Sequence, residues 1–129
     1  CAVIRQILTQ APNLCILYGH PVFSVVLSLD CEKENCPGRP NCPRQCLEKR
    51  SVCGFPVVSG EVGRGEFGIS QTVPPAMKNS PAVLVYGHGV FSASGSDFNE
   101  ALNTLWEVEK NCWEEFLHRL GPERINSFF

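Results

Sequence analysis

The chain has 129 residues, 43% of them hydrophobic and 19% charged, with a formal net charge of -2 from 11 basic and 13 acidic side chains. That length holds one domain able to bury its own core, and the balance of apolar to charged residues excludes an intrinsically disordered chain. The near-neutral charge offers no basic surface to nucleic acid or to an anionic membrane, and no apolar run approaches the roughly 20 residues needed to cross a bilayer.

The sequence begins at Cys1 with neither a methionine nor a signal-peptide pattern, and earlier residues are expected to be missing. Ala2 to Gln10 carries Val3, Ile4, Ile7 and Leu8 at helical spacing, and Pro12 with Asn13 stops that helix. Leu14 to Tyr18 reads as a short buried strand. Val22 to Leu29 fits either a helix or a strand, and its spacing leans toward helix. From Asp30 to Arg50 the chain turns rich in cysteine, proline and charge, the composition of an insertion held by something other than apolar burial. Phe55 to Ser59 returns to strand character, and Gly60 to Gly68 is a glycine-rich loop. A helix is expected from about Gly68 to Asn79, with Pro74 and Pro75 limiting it to its first turn or kinking it. Ala82 to Tyr86 is a buried strand, Gly87 to Gly89 turns, and Val90 to Ala93 continues or pairs back. Ser96 or Asp97 then caps the clearest helix, from about Asp97 to Leu120, whose apolar stripe is Phe98, Leu102, Leu105, Val108, Cys112 and Phe116; Gly121 and Pro122 end it. This alternation of strands and helices predicts one layered α/β domain over residues 1–129, with the cysteine-rich insertion at about 30–54.

Five of the eight cysteines, Cys31, Cys36, Cys42, Cys46 and Cys53, fall within that insertion. A secreted scaffold spreads its cysteines to staple loops, whereas a metal site gathers thiolates at one point. The clustering therefore favours a reducing cytoplasm and a structural zinc or iron-sulfur site on Cys31, Cys36, Cys42 and Cys46, with disulfides or free thiols as the alternatives. The spacing lacks the paired C-x2-C units of zinc ribbons. Cys1, Cys15 and Cys112 read as buried small hydrophobes. Gly63 to Gly68 matches the dinucleotide fingerprint formally but lacks its βαβ setting.

Two histidines follow strand ends in similar surroundings, Tyr18-Gly19-His20-Pro21 and Tyr86-Gly87-His88-Gly89. Side chains gathered at strand ends can converge on one ion, and Tyr18 and His20, two apart, share a face. Each histidine could equally satisfy local backbone groups.

The stretch from Ala82 to Phe91, followed by Asp97 to Leu102 and the helix carrying Glu109, resembles the third histidine motif and final helix of class II aldolase/adducin domains. Ala11 to Leu14 through His20 and Pro21 resembles the family's segment ending in a His-x-His pair, and Phe55 to Val58 the strand between. The resemblance implies a three-layer α/β/α fold and a lyase acting on a sugar or sugar phosphate. It also implies a homo-oligomer and a divalent metal, commonly zinc, held by three histidines so that an enediolate can form. Residue by residue, His20 and His88 take two of those positions and Tyr18 stands where the first histidine would be, a departure that weakens zinc binding because a phenol must first lose its proton. The family's acidic base and phosphate-binding segments would precede Cys1, so no catalytic residue is assigned; Glu61, Glu66 and Glu109 remain, with Glu109 expected to be solvated or capping. The competing readings are a noncatalytic, adducin-like binding or assembly domain and a cysteine-cluster metal or redox sensor.

Overall fold

A computed structural model describes Arg5 and residues 15–29, 50–60, 65–95 and 97–121. The N-terminal helix expected over Ala2 to Gln10 lies outside the described residues except for Arg5, which is helical. The segment holding Cys31, Cys36, Cys42 and Cys46, and the start of the glycine-rich loop after Gly60, also lie outside them. The strands are β1 (Cys15–Gly19), β2 (Arg50–Val52), β3 (Phe55–Val58), β4 (Ala82–Val85) and β5 (Gly89–Ser94), and the helices α1 (Val22–Ser28), α2 (Ile69–Met77) and α3 (Phe98–Leu120).

The five strands form one sheet in the order β1-β5-β4-β3-β2. Strand β4 is central, and its run Ala82-Val83-Leu84-Val85 is buried throughout, as a strand covered on both faces must be. Alternation divides that run. Ala82 and Leu84 join Val90, Leu27 of α1 and Val108 and Cys112 of α3 in one cluster, while Val83 and Val85 join Phe91 and Val73 of α2 in another. The domain is thus a mixed α/β structure with a separate apolar cluster for each set of helices. Each aliphatic side chain fully buried here contributes about 1.5–3 kcal/mol.

Strand direction positions the site. Pairing is antiparallel for β1 with β5 and for β5 with β4, and parallel for β4 with β3. Strands β1, β3 and β4 therefore run the same way, and the residues that follow each of them emerge at one end of the sheet. Those residues are His20 after β1, Ser59 and Gly60 after β3, and Tyr86 to His88 after β4.

Strand β2 had no signal in the sequence, because three residues are too few to show a period. It exists through its hairpin with β3, whose two-residue turn, Cys53 and Gly54, has φ of 52° and 85°, the positive pair that matches the twist of adjoining strands. Pro74 and Pro75 lie inside α2, which continues to Met77 instead of stopping after a turn. Packing explains the difference, since Val73 and Pro74 are buried against the sheet and that burial offsets two missing backbone donors. On α3 the buried line runs through Ala101, Val108 and Cys112 with Leu105 and Phe116 beside it. Phe98 and Leu102, expected on that stripe, are instead 60% and 41% exposed, because the helix turns the neighbouring face, with Ala101, toward β5.

The capping expectation for α3 is met: the Asp97 carboxylate accepts the Glu100 N–H at 2.8 Å, and Gly121 closes the other end at φ 77°. Asp97→Ala is expected to destabilise the fold by about 1 kcal/mol, measured as a lowered urea midpoint at unchanged slope; an unchanged midpoint would show that the cap is idle. Among the described residues no helix is long and apolar enough to cross a membrane.

Candidate metal centre at the strand ends

Glycine makes the meeting of β1 and β5 close. A Cβ on Gly89 would stand 2.3 Å from the Gly19 carbonyl oxygen, 3.1 Å from the Tyr18 hydroxyl and 3.2 Å from Cδ2 of the His20 ring. The backbone beside His88 is thereby seated directly against Tyr18 and His20. The Tyr18 ring packs on Phe91 of β5 at 4.4 Å and meets the His20 ring edge-on at 4.8 Å. Both imidazoles are exposed, open to the space beyond the sheet.

Each histidine is fixed by its own support. After His20 and Pro21 comes α1, whose N-terminus lacks a side-chain cap of its own. Glu109 reaches across from α3 to supply one: its carboxylate accepts the Phe23 N–H at 2.8 Å, the Ser24 N–H at 3.0 Å and the Ser24 hydroxyl at 2.7 Å. The two amides are among those a helix leaves unpaired at its start, and the helix dipole favours a negative charge at that end. Glu109 is therefore a capping residue, as expected, but it caps a different helix from its own. At the other end of α1, the Ser28 hydroxyl donates to the Val25 carbonyl and accepts the Gly87 N–H at 2.9 Å, bracing the turn that carries His88. Gly87 has φ 67°, a conformation that favours glycine.

His88 points its Nε2 at the Gly60 carbonyl oxygen, 2.9 Å away. A carbonyl can only accept, so Nε2 carries the proton and a neutral ring keeps its lone pair on Nδ1. A backbone carbonyl fixing the tautomer in this way is the usual second support of a metal-bound histidine. Tyr18 is less suited. Burial pushes its phenol above the ordinary tyrosine range, so the side chain remains neutral near neutral pH. The donor set is then two imidazoles and a phenol, which fits a zinc ion through its nitrogens and at a disadvantage through its oxygen. Among the described residues, no three His, Cys, Asp or Glu side chains converge as a ligand group.

The remaining sequence candidates fall elsewhere. Glu66 borders a cavity of about 760 Å³ between the β2–β3 hairpin and α2, which none of Tyr18, His20 and His88 lines. Glu61 and the four cysteines expected to form a cluster lie outside the described residues. Sequence reasoning missed Ser28 and Gly60, which hold the His88 turn; serine in a helix and glycine after a strand have too many ordinary uses to be singled out.

Comparison with solved structures finds the L-fuculose-1-phosphate aldolase from Thermus thermophilus, at a TM-score of 0.67 and 21% identity, over 94% of this chain and 63% of that one. The chain spans less than two thirds of that enzyme's length, and the likeness is one of fold. No curated protein matches the sequence. The family model described as the class II aldolase and adducin N-terminal domain matches residues 5–115. A match over most of the sequence is decisive, and the chain belongs to the class II aldolase and adducin N-terminal domain family.

Proposed function

We propose that this chain is part of a metal-dependent lyase of the class II aldolase type, a three-layer α/β/α domain acting on a sugar or sugar phosphate in the cytoplasm. The observation carrying this reading is that strand direction and the Gly89 contact bring His20, Tyr18 and the His88 turn to one open end of the sheet. Tyr18, His20 and His88 would hold the divalent ion, with zinc favoured by imidazole donors. When bound, the ion supplies Lewis-acid polarisation of a substrate carbonyl. The chain's own residues orient and protonate around it. Gly60 holds the proton on His88 Nε2, Glu109 fixes the helix behind His20, and Tyr18 sets its ring edge-on against the His20 imidazole. Glu109 spends its carboxylate on α1, so it is not the general base.

Subunit association, which the family implies, is supported by exposed apolar side chains along α3, where Phe98, Leu102, Trp106 and Trp113 are uncovered. One observation favours a second reading, an adducin-like domain without chemistry: a phenol stands in place of an imidazole, and partial burial makes it still harder to ionise.

Metal content separates the readings. Elemental analysis of anaerobically purified protein is expected to find zinc that His88→Ala removes, with affinity falling roughly 100-fold or more. Tyr18→His should tighten zinc by roughly 10-fold. Wild-type affinity should rise with pH more steeply than that of the Tyr18→His variant, because binding through Tyr18 must release its proton. Absence of metal would favour the binding domain, and zinc or iron lost on Cys36→Ser but retained in His88→Ala would favour the cysteine-cluster sensor.

A further inference from the structure

Cys53 is the thiol left over from the cysteine-rich stretch once Cys31, Cys36, Cys42 and Cys46 are assigned to a cluster. It occupies the first position of the β2–β3 turn at φ 52°, exposed to solvent. Its Sγ lies 3.6 Å from the Asn111 carbonyl oxygen of α3, which places it beside the next residue along that helix, Cys112, near enough for the two thiols to influence each other's protonation. Cys112 is wholly buried in the cluster between α3 and the sheet. An accessible thiol thus rests on an inaccessible one, across two elements far apart in sequence. Cys112 stands one helical turn beyond Glu109, whose carboxylate accepts the amide and hydroxyl protons of Ser24. The thiol pair therefore adjoins the cap of α1.

Burial, the largest influence on both, raises Cys53 and pushes Cys112 up to about 12. Cys53, the solvent-facing thiol, is the one that can meet an oxidant, and Cys112, buried beneath it, can only react through Cys53.

We propose that Cys53 and Cys112 form a reversible disulfide by exchange with a small disulfide of the glutathione class. The exposed Cys53 thiol loses its proton and attacks one sulfur of the oxidant, releasing one equivalent of small thiol and leaving a mixed disulfide. Cys112 then loses its proton and attacks the Cys53 sulfur, releasing the second equivalent. Two protein thiols are oxidised and one small disulfide is reduced to two thiols. The bond staples the edge hairpin of the sheet to α3 one turn beyond Glu109. It closes a long loop, which limits the unfolded chain and raises thermal stability.

The test uses the full reduced chain, freed of reductant and incubated with oxidised glutathione, then alkylated and digested without reduction for mass spectrometry. The expected product is one peptide pair joined through Cys53 and Cys112, lighter by two hydrogen atoms than the separate thiol peptides and released by dithiothreitol. Oxidation should raise Tm by about 5 °C or more in the wild type and leave it unchanged in Cys53→Ser, whose substitution is exposed. In Cys112→Ala, Cys53 should stop as the glutathione adduct. Recovery of Cys53 joined to a cysteine of the 31–46 stretch, or as the adduct alone in the wild type, would overturn the proposal.

Discussion

Gly89→Ala is expected to destabilise the fold by about 3 kcal/mol or more, the range reached when a side chain is forced into packed backbone. The added methyl would stand 2.3 Å from the Gly19 carbonyl oxygen, a contact neither side can relieve by a rotamer change because the obstacle is main chain. Either β1 moves away from β5 or the β4–β5 turn lifts. The first breaks a ladder that runs from Cys15 opposite Ser94 to Gly19 opposite Val90, and the second displaces His88. Both carry His20 away, since its Cδ2 and the Tyr18 hydroxyl lie just beyond the clash. Chemical denaturation should show the loss, and zinc titration of the folded fraction should show weakened binding. Gly95→Ala is the control, because a Cβ there meets nothing within 4 Å. Equal stability of the two variants would show that the β1–β5 approach is looser than described.

The second large effect belongs to Glu109. Removing its carboxylate in Glu109→Ala leaves the Phe23 and Ser24 amides and the Ser24 hydroxyl without their acceptor. Hydrogen bonds to a charged group are worth more than neutral ones, and the stranded partners are partly buried, so a loss of about 3 kcal/mol is expected. For a chain of this length that lowers Tm by roughly 10 °C. Glu109→Gln, which keeps an oxygen but not the charge, should fall between. Hydrogen exchange places the effect: the α1 amides should lose protection first, and the α2 amides should change little. Glu107→Ala, at an exposed position two residues earlier on the same helix, should shift Tm by no more than about one or two degrees. If both substitutions cost the same, the cap contributes nothing and α1 is held by its apolar face alone.

The two variants probe one arrangement from opposite sides. Gly89 sets how closely the strands carrying the histidines approach, while Glu109 sets the helix between them. That helix ends at Ser28, which accepts the Gly87 N–H, so damage at its start is expected to reach the His88 turn as well.

What the sequence determined by itself is local and periodic. The apolar run of β4 and the span of α3, with Asp97 before it and Gly121 after it, follow from residue type and spacing, because burial and capping act on neighbouring residues; which face of the first turns of α3 is buried did not. The order of Tyr18-Gly19-His20 and Gly87-His88-Gly89 likewise sufficed for the family resemblance. Tertiary structure decided the rest. The parallel pairing of β3 with β4 put Gly60 within reach of His88, although the two are far apart in the chain. A helix from the end of the sequence supplied the cap for one near its start. Cys53 reaches α3 because a three-residue strand, formed only by pairing, carries its turn there. Such contacts depend on how separate elements meet in space, and no period within one segment encodes that meeting.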